Sequence, residues 1–214
     1  MAVVQNPITG RSRGKFSNAV FTKWKNLNVL KSKPLSVANP QSPAQVMRRG
    51  MFSQLVEYGR TFRSVIETGF ETFKDTETWM NSFIKYNNGV VVIAGTAPDF
   101  TVDLLPIITS RGPLTPTDID NASGADGSAD VTVNFSASVD GLDQTLLDTA
   151  FILVTNTTQG EFGVSAGTVA RSAGTAVVTL SGSASTGDVI GVAIFFQSDN
   201  DGSVGDSSNL SITI

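Results

Sequence analysis

The stretch that decides the fold class is Val131-Thr132-Val133-Asn134-Phe135-Ser136, in which apolar and polar side chains alternate. This period of two places Val131, Val133 and Phe135 on one face of a β-strand and the polar residues on the other. Comparable runs follow it, separated by Gly, Ser and Asp, which are typical turn residues. They predict an immunoglobulin-like β-sandwich over residues 130–214, with strands at 131–139, 151–156, 161–170, 175–180, 188–197 and 207–214.

The region before this domain is predicted to be an extended connector over residues 90–129. We expect one short strand at its start. The rest contains four prolines, Pro98, Pro106, Pro113 and Pro116, and residues 118–129 are rich in Gly, Ser and Asp. Proline removes a backbone donor and Gly, Ser and Asp favour turns, so little further regular structure is expected here.

Residues 42–89 are predicted to be helical. Ser42-Pro43 is a favourable helix start, and Asp75 could cap a second helix that ends at Asn88-Gly89. The first helix would run to about residue 73, a length of roughly 45 Å at 1.5 Å per residue. Because a chain of this size has little with which to cover such a helix, we expect its apolar face to pack against other copies. This assembly face comprises Phe52, Val56, Phe62, Ile66, Phe70 and Phe73.

Residues 1–41 are predicted to form a basic arm with a hairpin, made of the runs 20–25 and 29–33 around a three-residue turn. In that register Trp24 pairs with Leu30 and Lys23 faces Lys31. Like charges in opposite positions disfavour strand pairing, so an anionic partner is expected to relieve them. The predicted contacts with that partner are Arg11, Arg13, Lys15, Lys23, Lys25, Lys31, Lys33, Arg48 and Arg49.

Charge separates along the chain after Val90. Residues 1–90 hold 13 Lys and Arg against 5 Asp and Glu, whereas residues 91–214 hold 2 against 14. This asymmetry predicts a basic half that anchors the protein and an acidic half that faces solvent. Nucleic acid, an acidic protein such as another copy of this chain, and lipid headgroups all stay open as the anionic partner.

The composition excludes several catalytic mechanisms. The 214 residues include no Cys and no His, which removes disulfides, thiolate metal sites, cysteine nucleophiles and a Ser/His/Asp triad. Residues 163–167 match the G-x-S-x-G pattern of hydrolases, but they lie in a β-rich segment with no histidine to serve as base. We therefore expect no enzyme and no cofactor. Asp199, Asp201 and Asp206 are candidates for a calcium site, with solvated turns as the alternative.

No transmembrane segment is expected, because the longest apolar runs, 90–94 and 189–196, fall well short of the roughly 18 residues that a spanning helix requires. The N-terminus also lacks the pattern of a secretory signal, a charged segment followed by an apolar one. These features predict a protein that is made in the cytoplasm.

Several motifs resemble those of one protein family. They are an Asn-Pro-x-Thr-Gly-Arg segment at residues 6–11, the segment Lys31 to Pro34, where the family has a Lys-x-Pro step, a helix start at residues 39–45, and Lys85-Tyr86-Asn87. They resemble an uncharacterised family common in Bacteroidota and their phages. The resemblance implies a basic arm, a helical middle and a C-terminal immunoglobulin-like domain. It implies no known enzymatic activity and an association with phage genomes.

The leading hypothesis is a non-enzymatic structural protein of a bacteriophage virion, in a capsid, vertex or decoration role. Its N-terminal half would anchor it to copies of itself, to other virion proteins or to genomic nucleic acid, and its β-sandwich would be exposed. The alternatives are a tail component, a bacterial surface module for binding or adhesion, and a cytoplasmic nucleic-acid-binding protein that acts through residues 11–49.

Overall fold

The computed structural model describes residues 2–4, 14–24, 27–34, 36, 41–73, 77–139 and 144–214. The chain divides into two compact units, residues 1–41 and residues 42–214. The first unit is a four-stranded antiparallel sheet with the strand order β1-β4-β3-β2. Its strands are β1 (Ala2–Val4), β2 (Gly14–Phe16), β3 (Ala19–Trp24) and β4 (Leu27–Ser32).

The predicted N-terminal hairpin is present as β3 and β4, but its register differs from the expected one. Only two residues separate the strands, and Trp24 lies opposite Leu27. Lys23 therefore lies opposite Asn28 and Lys31 opposite Val20, so the predicted Lys23–Lys31 pair is wrong. The register differs because the connection is shorter than the predicted three-residue turn, and loop length sets the register of a hairpin.

The second unit begins with three helices, α1 (Pro43–Thr61), α2 (Arg63–Gly69) and α3 (Trp79–Asn87). The single long helix predicted to residue 73 is broken at Phe62, whose φ of −102° and ψ of 31° depart from helical values, and a 3₁₀ turn at Glu71–Phe73 follows α2. The start at Ser42-Pro43 is confirmed. The cap of α3 is Thr78, whose side chain accepts a hydrogen bond from the Asn81 backbone N at 3.3 Å. Asp75, the expected cap, lies outside the described residues.

A hairpin and seven further strands follow the helices. The hairpin consists of β5 (Val92–Thr96) and β6 (Asp99–Asp103), joined through a cis Ala97–Pro98 bond. The further strands are β7 (Ile119–Gly124), β8 (Asp130–Phe135), β9 (Thr149–Asn156), β10 (Glu161–Ala170), β11 (Thr175–Thr179), β12 (Val189–Gln197) and β13 (Ser208–Thr213). The six strands predicted after residue 130 are confirmed.

The strand expected at the start of residues 90–129 is present as β5, but the prediction of an extended connector after it is wrong, because this region also contains β6 and β7. Ala122 is the one buried apolar residue of β7, which explains why its sequence carries no clear alternation. Its position depends instead on pairing with β8, where Gly124 lies opposite Val131. Tertiary context thus determines this strand more than local pattern does.

The seven strands form two antiparallel sheets, with the orders β10-β9-β12-β13 and β11-β8-β7. The alternation of β8 is confirmed: Val131, Val133 and Phe135 are buried, whereas Thr132 and Asn134 are partly exposed. These residues share one apolar cluster with residues of the facing sheet, so the two sheets pack face to face. The facing residues include Ile152, Val154, Ile190, Val192, Ile194 and Phe196.

The helices cover the other face of the sheet β10-β9-β12-β13. Leu153 and Ala193, which are paired between β9 and β12, belong to one cluster with residues of all three helices and with the two phenylalanines that flank α2. These residues are Met51 and Leu55 of α1, Ile66 of α2, Phe83 of α3, and Phe62 and Phe70. Val65 packs with Phe151 and Phe195, whose rings stack at 5.1 Å. The second unit therefore has three layers, helices on sheet on sheet, and the fold is α+β. No helix of the described residues combines the length and the apolar character needed to cross a bilayer.

This arrangement corrects the predicted assembly face. Phe62, Ile66 and Phe70 are buried within their own chain, and Phe73 is partly buried against the same cluster. Phe52, by contrast, is 52% exposed, and Val56 is partly exposed. The α1 side chains that face the core of the second unit are those of Met51 and Leu55 instead. The expectation failed because the outer face of β9 and β12 is apolar, so the chain itself provides a surface that covers the helices.

A fully buried ion pair lies at one end of the sandwich. The Arg171 guanidinium donates to the Asp148 carboxylate at 3.3 Å and to the Thr117 hydroxyl, and it stacks over Phe196 at 4.1 Å. Asp148 also accepts hydrogen bonds from the backbone N and the hydroxyl of Thr145, at 2.9 and 2.7 Å. Buried charges persist only when they are paired and hydrogen-bonded in this way.

Residues 104–112 run between the helices and the sandwich and are held by side chains from both. The Asn87 amide donates to the Ile108 carbonyl at 2.8 Å and accepts from the Ile108 backbone N at 2.7 Å. From the sandwich, Asn209 donates to the Ile107 carbonyl at 3.0 Å. Gly69 packs so closely here that a Cβ would overlap the Thr109 carbonyl oxygen.

We expect Gly69→Ala to destabilise the protein by about 1–3 kcal/mol, because the added methyl group meets backbone and overpacking has costs of this order. Urea unfolding followed by circular dichroism measures the effect. Gly89→Ala is the matched control, since Gly89 is exposed and a Cβ there meets nothing within 4 Å. Equal stabilities of the two variants would show that residues 109 and 110 do not restrict position 69.

Candidate functional site

The basic sheet of the first unit is the first candidate surface. Val20 of β3 pairs with Lys15 of β2 on one side and with Lys31 of β4 on the other, so the three residues form one row across the sheet. Neighbouring strands are about 4.8 Å apart, which places the two lysines roughly 10 Å from each other on one face. Lys15, Lys31 and Lys33 are all exposed. This row presents cationic side chains to solvent.

The structure does not gather all nine predicted anionic-partner contacts. Arg48 and Arg49 are exposed on α1, in the second unit. Lys23 lies in β3 opposite Asn28. Arg11, Arg13 and Lys25 lie outside the described residues. Lys15, Lys23 and Lys31 therefore remain as the described contacts that share one sheet, and Lys33 directly follows β4.

The second candidate site is a groove of about 660 Å³ in the second unit, between α1, the end of β6 and the β9–β10 turn. Three aromatic rings form an edge-to-face series along it. Tyr58 and Phe62 are 4.4 Å apart, and Phe62 meets Phe162 at 5.0 Å and 88°. Burial raises the pKa of Tyr58 above its ordinary value, so its hydroxyl stays neutral.

Two exposed carboxylates, Glu57 and Asp103, accompany these rings. Glu161 also borders the groove, but its side chain lies on the face of β10 opposite Phe162, with its carboxylate over Gly182. No Lys or Arg is among the described residues that line the groove. Asp103 accepts a hydrogen bond from the Leu105 backbone N at 2.9 Å. The Oε2 atom of Glu161 is buried and has no hydrogen-bond partner within the described part of the chain. The groove therefore combines apolar walls with two solvent-exposed carboxylates.

The β9–β10 turn that forms one wall is held from beneath by Asn156 and Asp188. The side-chain Oδ1 of Asn156 accepts from the backbone N of Thr158 and of Gln159, at 3.0 and 3.1 Å. Its amide donates to Asp188 at 2.7 Å, and the Ser185 backbone N donates to the same carboxylate at 2.9 Å. The hydrogen bond from Asn156, followed by that from Ser185, holds the pKa of Asp188 below its ordinary value.

The predicted calcium candidates do not form a site. Within the described residues, no group of three or more Asp or Glu is placed to hold a metal ion. Asp206 instead pairs with Arg111 at 2.6 Å and accepts from the Gly112 backbone N at 3.1 Å. Asp201 accepts from the Ser203 backbone N at 2.9 Å, and this bond is the first cause that holds its pKa low. Asp199 is exposed in the same loop.

The G-x-S-x-G match lies within β10, which is a strand, whereas the nucleophile pattern needs a turn between a strand and a helix. The Ser165 hydroxyl lies 2.9 Å from that of Thr168, where the strand carries a bulge. The match is therefore part of an edge strand.

Sequence reasoning missed the groove altogether. Its residues come from three segments between positions 54 and 162, which lie in different elements. Each of Glu57, Asp103 and Glu161 resembles an ordinary surface carboxylate when it is read alone. The only local signal is the aromatic spacing of Tyr58 and Phe62, which also fits a core-facing helix.

Comparison with known protein families matches residues 11–211 to a Family of unknown function (DUF6266). Comparison with curated proteins and with solved structures gives no match.

We expect Asp188→Asn to lower stability and to flatten its dependence on acidic pH. The folded pKa of Asp188 lies below the ordinary 3.8, so its contribution is complete above about pH 4 and is lost as pH falls through the folded value. Thermal melts from pH 6 to pH 2 on the wild type and the variant measure this part of the slope. Asp120→Asn serves as a control at an exposed carboxylate. If Asp188→Asn retained the wild-type slope, Asp188 would not be the group responsible.

We expect millimolar Ca²⁺ to leave the melting temperature unchanged relative to EDTA, because Asp206 is engaged by Arg111. Asp206→Asn should cost about 1 kcal/mol, as is usual for a partly exposed ion pair supported by a backbone hydrogen bond. Calorimetric scans with each additive measure both effects. A rise in melting temperature with Ca²⁺ that Asp206→Asn abolishes would restore the calcium interpretation.

Proposed function

We propose a function for this chain, which belongs to the family of unknown function DUF6266: it is a non-enzymatic structural protein that assembles through its basic N-terminal unit, as a component of a bacteriophage virion. The motifs of the N-terminal half support the phage setting. The absence of Cys and His from the sequence supports a structural role over a catalytic one.

The observation that carries the proposal is the agreement between charge and structure. Residues 1–41 form one unit and hold seven Lys and Arg with no Asp or Glu. Residues 42–214 form the other and hold 8 Lys and Arg against 19 Asp and Glu. A unit that is only cationic is suited to an anionic partner, and the acidic unit of another copy is such a partner.

The sandwich is the part that this proposal leaves exposed, and we assign it to the immunoglobulin-like type. Its strands β7 and β8 lie beside β11, and β9 and β12 form the centre of the facing sheet with β13 at its edge. Naming them A to G in chain order gives A, B and E in one sheet and C, F and G in the other. The strand β10 pairs with β9, so it extends the second sheet. The division of the other six strands follows the immunoglobulin-like pattern, whereas the fourth strand of the constant type lies beside E in the first sheet.

We expect the purified chain to form oligomers at low salt that dissociate as ionic strength rises, since exposed charges are screened within about 10 Å at 0.1 M. Lys15→Glu with Lys31→Glu should reduce the chain to monomers at all salt concentrations. Size-exclusion chromatography with light scattering gives the mass of each species. A wild type that stays monomeric at every concentration and salt would contradict the proposal.

Two controls sharpen this experiment. Arg48→Glu with Arg60→Glu makes the same change of charge on exposed positions of α1, outside the basic unit, and should leave the oligomers in place. Deletion of residues 1–41 should abolish assembly and leave a folded second unit, because the apolar clusters of the sandwich and helices consist of residues after 50. Loss of oligomers in the α1 variant would mean that the basic unit is not the only anchor, and that net charge or the predicted contact Arg48 also drives assembly.

Binding of nucleic acid is tested with the wild type and the same variants. If it were the partner, log affinity for a random duplex would fall linearly with log salt, and assembly would require its presence. Assembly of nuclease-treated protein supports a protein partner.

A further inference from the structure

We infer that the outer face of α1 binds single-stranded nucleic acid, with its arginines on the phosphates and Phe52 stacked on a base. This face comprises Arg48, Arg49, Phe52, Val56 and Arg60. It belongs to the second unit and is separate from the basic sheet of the first. The inference goes beyond the proposed function, because nucleic acid bound to α1 is not the anchor of assembly.

The spacing of these five residues places them on one side of the helix. An α-helix turns about 100° per residue, so positions 48, 49, 52, 56 and 60 fall within an arc of about 120°. Arg48, Arg49, Phe52 and Arg60 are exposed, and Val56 is partly exposed. The side chains therefore form one continuous strip that is open to solvent.

The charge of this strip is opposite to that of the unit that carries it. α1 holds three arginines and one carboxylate, Glu57, whereas residues 62–214 hold 5 Lys and Arg against 18 Asp and Glu. Among the described residues, no ion pair includes Arg48 or Arg60. Phosphate suits such groups, because its oxygens accept two hydrogen bonds from one planar guanidinium.

Phe52 distinguishes this strip from a surface that is merely charged. Its ring is 52% exposed near the middle of α1, between Arg48 and Arg60. Single strands bind where cationic side chains follow the backbone and an aromatic ring stacks on a base. In a duplex the bases already stack on one another, so no base face is open to the ring. The exposed ring therefore favours a single strand as the partner.

The length of the strip fits a short stretch of such a strand. Arg48 and Arg60 are twelve residues apart, which is about 18 Å along the helix axis. At the 3.4 Å rise of one stacked strand this distance corresponds to about five nucleotides. Phe52 lies about one turn beyond Arg48, so the ring and the guanidinium can engage neighbouring nucleotides.

A groove of about 390 Å³ beside Arg48 extends the strip. Its described lining includes Met47 and Asn88 and no carboxylate. By contrast, the grooves beside Glu57 and beside Glu67 are each lined by three carboxylates. A phosphodiester strand is repelled by those two grooves and attracted by the arginine of this one.

An anionic membrane shares the phosphate chemistry, but α1 is poorly suited to it. A helix that lies in a bilayer interface inserts a broad apolar face. Met51 and Leu55 of α1 are buried within their own chain. Phe52 is the one large apolar side chain of this helix, which the structure describes in full, that is exposed. A single ring offers a stacking surface and too little apolar area for insertion.

The experiment uses the full chain with Lys15→Glu and Lys31→Glu, the variant in which the basic sheet is altered and a monomer is expected. Fluorescence anisotropy of a labelled oligothymidylate measures binding over a range of salt concentrations. This background variant should still bind, with log affinity falling linearly with log salt. Loss of binding would place the nucleic-acid site on the basic unit and overturn the inference.

Two changes on α1, each added to the background variant, separate charge from stacking. Arg48→Gln with Arg60→Gln should reduce the salt slope by about 1.4, since each phosphate contact with a single strand contributes about 0.7. Phe52→Ala should weaken binding about fivefold to a hundredfold with an unchanged slope, because it removes stacking and no charge. Phe52→Leu should behave as Phe52→Ala does. Full rescue by leucine would indicate an apolar contact and not a stacked base, which would overturn the inference.

The matched control is Lys33→Gln with Lys85→Gln in the same background, which removes two exposed cations outside α1. It should bind as the background variant does, and near-ultraviolet circular dichroism checks that every variant folds. If the control lowers the slope as much as the arginine variant, the attraction is general and the inference is overturned. Equal affinity for a duplex, or binding to phosphatidylserine vesicles without binding to the oligothymidylate, overturns it as well.

These outcomes are independent of the proposed function. If the wild type assembles but the background variant binds no oligothymidylate, the proposed function stands and the inference fails. If the wild type never assembles but the arginine and Phe52 variants weaken binding as expected, the inference stands and the proposed function fails.

Discussion

The four-stranded sheet β10-β9-β12-β13 must be covered on both faces, and the rest of the second unit follows from that need. Along β9 and β12 almost every residue is buried, with Ile152 and Ile194 on one face and Phe151 and Phe195 on the other. Each such side chain left in water would cost about 1.5–3 kcal/mol. The three-stranded sheet covers one face, and α1 and α2 cover the other. The helices are thus a layer of the same domain.

Much of this could be predicted from the sequence, because period and turn chemistry are local properties. The strands after residue 130 and the helix start at Ser42 were predictable on that basis. The packing of the helices on the second face of this sheet was not predicted, although a signal was present. The run Val189–Phe196 is continuously apolar, as in strands that are buried on both faces. A one-sided strand would alternate, as β8 does. The run indicates that a second cover exists, but it does not say which element provides it.

Contacts between distant residues account for the rest of what sequence reasoning missed. The pair Arg171–Asp148 joins residues 23 positions apart, and Asn156–Asp188 joins residues 32 apart. Neither spacing is a motif. The groove likewise depends on bringing Tyr58, Asp103 and Phe162 together from separate elements. Apolar burial determines which layers stack, whereas these polar contacts determine where the loops lie and which surface the layers present.

The segment 104–112 gives the second unit a property that neither layer has alone. Asn87 holds it to α3, Gly69 receives Thr109 closely, and Asn209 holds it to β13. Separating this segment from either the helices or the sandwich would expose buried polar groups of the segment and of the layer that it leaves. The helical layer therefore has no boundary at which it could unfold first, and residues 42–214 should melt in one cooperative transition.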